Sequence, residues 1–310
     1  MKRTSISIAL AVLLASGANA LSQEVPQAFK EAVTLFQNGA YDQARALFDK
    51  CDEPLSRAWS VLCAVKGRAP SYRVLIEDLE REAPRSALYN PIHFAAALNL
   101  FDEGDYAAAG DELRKVDEKL LPESETGEYV FKKAYCHFAQ ENYPPAMILF
   151  RKVVDMPYSV YTAPSQYALG YIAYNNGGFP EAEKWFGKAG ADPRFEELAN
   201  YYIMECRFLD KDYDYVIANG PGMLDSLPVE RRGRLARMIS ESYLVKGQEE
   251  KALEYLKLEE SAPGSRNRAD FFHAGSVLYA VGDYAGAIDN FTRMGSLRDS
   301  IGQVAAYDLG

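Results

Sequence analysis

The chain has little of the chemistry from which catalytic and metal sites are usually built. In 310 residues there are three histidines and four cysteines. His93, His137 and His273 lie far apart, and none has a second histidine, a cysteine or a carboxylate at metal-ligand spacing. No Gly-x-x-x-x-Gly-Lys phosphate loop, Gly-x-Ser-x-Gly elbow or His-Glu-x-x-His pair occurs. The acidic pairs Glu196-Glu197 and Glu249-Glu250 fall on expected exposed helix turns, where carboxylates are ordinarily solvated. The expectation is therefore no catalytic residue, no metal, no cofactor and no enzyme activity.

Positive charge is scarce too. Thirty-four basic residues stand against forty-four acidic ones, a formal charge of -10. Nucleic acid and anionic membrane surfaces both require a basic patch, so neither is an expected partner. Beyond residue 20 no apolar run reaches the length that crosses a bilayer, so no direct membrane insertion is expected there.

The first twenty residues are different. Lys2-Arg3, an apolar stretch from Ile6 to Leu14 and the small-residue sequence Ala18-Asn19-Ala20 follow the order of a secretory signal. Its apolar part is too short to span a membrane. Cleavage after Ala20 would leave Leu21 first, with no cysteine to accept a lipid, and would place residues 21–310 in the periplasm or otherwise outside the cytoplasm.

A fixed period runs through the rest. Gly39, Gly104, Gly177, Gly247 and Gly282 are each followed five residues later by alanine, at 44, 109, 182, 252 and 287. Glu141 and Lys211 hold the same place without glycine, ahead of Ala146 and Val216, and a weaker unit centres on Gly67 with Tyr72 where the alanine belongs. Small residues stand seven before the turn at Ala32, Ser60, Ala97, Ala134, Gly170, Ser240 and Gly275. Large apolar residues stand nine after it, at Phe48, Ile76, Leu113, Phe150, Phe186, Leu256 and Phe291. Pro54, Pro84, Pro122, Pro157, Pro193, Pro228 and Pro263 close the first seven units at one phase, where a second helix should stop. The reading is all-α: about eight helix-turn-helix units, each unable to bury its apolar face alone and so stacked into a solenoid. Gly220-Pro221-Gly222 is expected to interrupt the second helix of the sixth unit.

The stretch Gln166-Tyr167-Ala168-Leu169-Gly170-Tyr171-Ile172-Ala173-Tyr174, continued by Gly177, Ala182, Phe186 and Pro193, resembles the tetratricopeptide repeat. The resemblance covers nearly all of residues 24–310. With the signal, it looks most like envelope tetratricopeptide proteins of Gram-negative bacteria, of the Bacteroidetes kind. It implies a scaffold that binds a peptide or a partner protein on the concave side formed by its first helices. Aromatic residues ten and three before each turn are expected to face that groove, most densely at Phe131, Phe138, Tyr167, Tyr174, Tyr201 and Phe208, with Tyr135 and Tyr171 adding two more on the same face. The same offsets also suit plain packing of one hairpin on the next. The clamp for a C-terminal carboxylate found in some family members needs Lys and Asn in the groove. Tyr135, Tyr171 and Glu205 stand there instead, so no such clamp is expected.

The terminal Ala305-Ala306-Tyr307-Asp308-Leu309-Gly310 repeats the pattern of Ser165 to Gly170, the start of another first helix. The array is thus expected to continue past residue 310. The alternative function follows from this: a recognition or spacer segment of a larger protein whose catalytic or cell-wall-binding domain comes later. Cys51 and Cys63 fall on adjacent helices, where a disulfide is geometrically possible in an oxidising compartment; Cys136 and Cys206 are two units apart and expected unpaired.

Overall fold

The computed structural model describes residues 26–52, 55–82, 87–263 and 266–294, with 302, 303, 305 and 307. Residues 1–20, where a secretory signal is expected, Pro54, Pro84 and the rest of the C-terminal stretch lie outside the described residues. Among the described residues sixteen α-helices form eight hairpins, and none is long and apolar enough to cross a membrane. The first four hairpins pair α1 (Gln27–Gln37) with α2 (Tyr41–Phe48), α3 (Ser56–Lys66) with α4 (Tyr72–Glu82), α5 (Tyr89–Asp102) with α6 (Tyr106–Lys115), and α7 (Glu123–Ala139) with α8 (Tyr143–Asp155). The next four pair α9 (Thr162–Asn175) with α10 (Phe179–Ala189), α11 (Glu196–Leu209) with α12 (Tyr213–Met223), α13 (Val229–Val245) with α14 (Glu249–Ser261), and α15 (Arg268–Ala280) with α16 (Tyr284–Arg293). The architecture is an α-solenoid of helix-turn-helix repeats.

One backbone device ends every first helix. The residue after the turn position donates its N–H to the carbonyl five residues back, as in Ala40 to Leu35, Asp105 to Leu100 and Asp283 to Leu278, at 2.9 Å each. This closure requires a left-handed residue. Glycine takes that conformation without strain at 39, 104, 177, 247 and 282, while Glu141 and Lys211 adopt it with φ of 57° and 63°. In the second hairpin the left-handed residue is Arg68 (φ 53°), one after Gly67, and Ala69 makes the closing bond to Ala64. Asp105, Asp212 and Asp283 then cap the second helices, accepting from the N–H groups of Ala108, Tyr215 and Gly286.

The expected break at Gly220-Pro221-Gly222 does not occur. Helix α12 runs through Pro221 to Met223 and passes into a short 3-10 turn, Leu224–Ser226. The proline removes one backbone donor close to the helix end, where continuity is least dependent on it. Gly220 has a packing reason, since a Cβ there would stand 2.8 Å from Ile239 Cγ1.

The chain divides into two compact units, 1–168 and 169–310, the division falling inside α9. In the first, Trp59 is fully buried, stacked on Phe48 at 5.4 Å and edge-on to Phe36 at 5.1 Å. A second cluster there gathers Phe94, Leu113, Tyr129 and Val153. In the second unit Val216, Leu235, Ile239, Leu256 and Val277 form the main core. Cys51 and Cys63 are not bridged: Cys51 Sγ donates to Leu47 O at 3.2 Å, and burial pushes the Cys63 thiol up to about 12.

Candidate functional site

The predicted groove aromatics are each engaged within or beside their own hairpin. The residue three before the turn packs on the first residue of the second helix: Phe36 on Tyr41, Phe101 on Tyr106, Phe138 on Tyr143, Tyr174 on Phe179, Phe208 on Tyr213 and Tyr279 on Tyr284, at 5.1–6.1 Å. Ten before the turn, Phe131 meets Phe150 at 6.0 Å, just as Phe29 meets Phe48 and Phe272 meets Phe291. In the first unit Tyr135 lies between Phe101 and Tyr106 of the preceding hairpin, at 5.3 and 5.2 Å, and Tyr167 is half-buried on α9. In the second unit Tyr171 and Tyr174 both pack on Tyr202. Tyr201 is buried, its hydroxyl donating to Glu205 Oε1 at 2.8 Å.

Two of these residues, Tyr174 and Phe208, reach an open cleft of about 540 Å³ in the second unit. Its walls come from α9, α11, α13 and α15, and its far end from α14 and the segment that follows. Three arginines stand in it, and carboxylates occupy each of them. Arg234 Nε lies 2.8 Å from Glu205 Oε1. Arg237 pairs with Asp270 and donates to Ala269 O at 3.4 Å. Arg266 pairs with Glu260 at 2.9 Å and donates to Asp270 O at 3.2 Å. Burial and the adjacent Glu205 push the Tyr174 phenol up to about 12, so it stays a hydrogen-bond donor.

Under the cleft sits a buried polar trio. Ser240, the small residue seven before its turn, donates its hydroxyl to Ala252 O at 2.7 Å. His273 Nε2 lies 3.0 Å from Ser240 Oγ and 3.6 Å from Glu259 Oε2. With the hydroxyl proton already committed to Ala252, the imidazole must donate from Nε2. Burial, then Arg237 and Arg266, lower His273 to about 3, so the ring is neutral at physiological pH. Burial likewise raises Glu259 to about 8. A serine that is fully buried and already donating is not available to a base, so the trio is not a nucleophile-base-acid relay. Among the described residues no group of three or more His, Cys, Asp or Glu side chains is arranged to hold a metal ion.

The first unit holds a comparable cluster. His93, only 1% exposed, stands 2.5 Å from Glu112 and 3.3 Å from Glu80, and Lys115 bridges both carboxylates at 3.2 and 2.9 Å. Burial tends to raise Glu112, but the hydrogen bond and charge of His93 and then Lys115 outweigh it and hold the carboxyl below its usual range. Carboxylates thus do approach two of the three histidines, from neighbouring helices and not at local spacing. The sequence signal for the cleft was Arg231-Arg232-Gly233-Arg234-Leu235-Ala236-Arg237, a basic run in an acidic chain whose Arg234 and Arg237 share a helix face.

No protein-family profile matches the sequence, and no curated protein matches it. Solved structures do. PilW, described as a widely conserved type IV pilus biogenesis factor, is 16% identical with a TM-score of 0.51, over 70% of this chain and 98% of its own. The C-terminal part of a tetratricopeptide-containing protein from Cytophaga hutchinsonii is 14% identical with a TM-score of 0.51, over 91% of this chain and 99% of its own. The fold is tetratricopeptide-like. Within a tetratricopeptide-like fold, the aromatic pairs flanking each turn pack on their own hairpins, and the cleft is a place where side chains of three or more hairpins converge around open space.

Proposed function

We propose that this chain is an exported, non-enzymatic scaffold of the bacterial envelope that binds an extended segment of a partner protein, with the cleft of the second unit as a principal contact. The observation that carries this reading is the cleft itself. It is a pocket of ligand size, edged by Tyr174 and Phe208 and walled by charged side chains fixed by ion pairs. Aromatic rings give wide contact area with little rotamer entropy to lose, and the Tyr174 oxygen, its proton given to Glu205, can accept from a peptide N–H. Export is supported by the order of charged, apolar and small residues before Leu21.

A photo-reactive amino acid at Leu209, which lines the cleft and is 43% exposed, tests the contact in a Gram-negative host. The expected result is a discrete adduct with an envelope polypeptide, absent when the same group replaces exposed Lys184. Equal labelling at both positions, or none at either, overturns the reading. Amino-terminal sequencing of the purified protein should begin at Leu21, and a chain retaining Met1 would count against export.

A further inference from the structure

Resting on the scaffold reading, we infer that the cleft grips the main chain of the bound segment: Arg234 donates to the carbonyl, and the Tyr174 oxygen accepts from the N–H, of one extended residue.

The two groups meet on one buried carboxylate. Glu205 lines the cleft from α11 yet is only 3% exposed. Its Oε1 accepts from the Tyr201 hydroxyl at 2.8 Å and lies 2.8 Å from Arg234 Nε, and the Tyr174 hydroxyl donates to the same carboxylate. Tyr201 is buried, whereas Tyr174 is half-buried and the Arg234 side chain is 64% exposed. Side chains of α9, α11 and α13 are therefore tied together at Glu205, and Tyr174 and Arg234 open from that knot onto the cleft.

What each can still offer follows from its chemistry. A guanidinium donates from every nitrogen, and placing Nε against Glu205 leaves Nη1 and Nη2, which have no partner among the described residues. A phenol that has given its proton to Glu205 keeps an accepting lone pair. In an extended chain the N–H and C=O of one residue point to the same side, and a neighbouring strand reads them together. Here a donor and an acceptor fixed on one carboxylate take the place of that strand.

The charges of the lining favour such a neutral guest over an acidic one. Arg237 is already paired with Asp270 and Arg266 with Glu260, while Glu205 compensates Arg234 itself. A carboxylate entering the cleft would also meet Glu230 and Glu241, whereas a carbonyl brings acceptor strength without net charge. Phe208 and Leu209 give apolar contact to the side chains that flank the held residue, so recognition tolerates their sequence.

Selection from a random decapeptide library on the purified protein, followed by an amide-to-ester scan of a captured peptide, tests this. An ester at one residue removes its N–H and weakens the preceding carbonyl as an acceptor. Two neighbouring positions should be sensitive, each by about three- to tenfold. The first is the held residue, through the N–H lost to Tyr174, and the second is its successor, through the carbonyl weakened toward Arg234. Tyr174→Phe should abolish the first sensitivity alone. Arg234→Lys should abolish the second alone, because a lysine's single nitrogen, kept at Glu205, no longer reaches past it. Circular dichroism checks folding, and the scan on the unaltered protein stands whether or not the variants fold. Capture with no ester-sensitive position, ester sensitivity that survives in both variants, or a selected acidic or basic position that Arg234→Lys erases overturns the clamp and leaves the scaffold reading intact. Failure to capture any peptide removes both.

Discussion

A Cβ placed on Gly170 would stand 2.8 Å from Cδ1 and 2.9 Å from Cε1 of Phe186. Gly275 bears the same relation to the ring of Phe291, in even closer contact. Both pairs join the position seven before a turn to the position nine after it. In the first and fourth hairpins Ala32 and Ala134 fill the earlier place while Phe48 and Phe150 fill the later one, all of them buried. Gly170→Ala and Gly275→Ala are therefore expected to destabilise by about 1–3 kcal/mol through overpacking. Gly187, in the same hairpin as Gly170, has no atom within 4 Å of its missing Cβ, and Gly187→Ala should stabilise by about 0.5–1 kcal/mol. Urea unfolding followed by circular dichroism separates the outcomes. Equal effects at 170 and 187 would refute the packing argument.

The turns permit a test in which space is constant and only the backbone angle differs. Gly104 (φ 81°) and Gly127, inside α7, both have open space around the missing Cβ. Gly104→Ala should lose about 1 kcal/mol because alanine resists the left-handed conformation, whereas Gly127→Ala should gain about 0.5–1 kcal/mol. Lys211→Gly reverses the argument, relieving a residue held at φ 63° and raising the unfolding midpoint. A stabilising Gly104→Ala would contradict this account.

The buried pair Glu259 and His273 shapes the pH dependence of stability. Glu259 is raised from 4.5 to about 8, so between those values the native state holds a proton that the unfolded state has released, and stability falls as pH rises. His273 is lowered from 6.5 to about 3, so between those values the unfolded state holds the extra proton, and stability rises with pH. The two nearly cancel from pH 4.5 to 6.5. Above it Glu259 acts alone, and the native state should lose on the order of 2 kcal/mol by pH 8. Glu259→Gln should flatten that fall, as read from unfolding midpoints across pH 5–9. A variant as pH-sensitive as the parent in that range would show that other groups are responsible.

How much of this was legible beforehand differs between fold and site. The hairpins were readable because each rests on local chemistry at fixed offsets: a left-handed turn residue, a small residue before it and a large one after it. The slip at Gly67 was hidden because two signals separate there. Arg68 carries the turn, yet Tyr72 and Ile76 remain buried at the offsets counted from Gly67. The run through Pro221 was missed because a proline near a helix end need not break it. The cleft could not be read at all from periodicity. Glu205, Arg234, Glu259 and Asp270 come from three hairpins, and their pairing depends on stacking geometry. The aromatic offsets marked Tyr174 and Phe208, which do edge the cleft, together with Tyr201, which is buried. A regular packing pattern does not distinguish these cases.

The separation of packing from binding yields the last prediction. Tyr135 touches Phe101 and Tyr106 of the preceding hairpin, and its phenol is raised above its ordinary value by burial and then by Tyr106. Tyr135→Ala therefore opens a gap at a hairpin junction and should destabilise the first unit by about 2–4 kcal/mol. Phe208 packs on Tyr213 within its own hairpin while also lining the cleft. Phe208→Ala should lower stability less, since part of the ring faces solvent, but should weaken capture of a selected peptide by about tenfold as an interface aromatic does. Unfolding midpoints and peptide affinities measured on both variants give two independent readings. The expected pattern is a stability loss with affinity retained below the unfolding transition for Tyr135→Ala, and the reverse for Phe208→Ala. If Tyr135→Ala abolishes peptide capture while circular dichroism shows the chain folded, Tyr135 contacts the ligand and the assignment of its ring to packing is wrong. If Phe208→Ala leaves affinity untouched, the cleft edge makes no contribution to recognition.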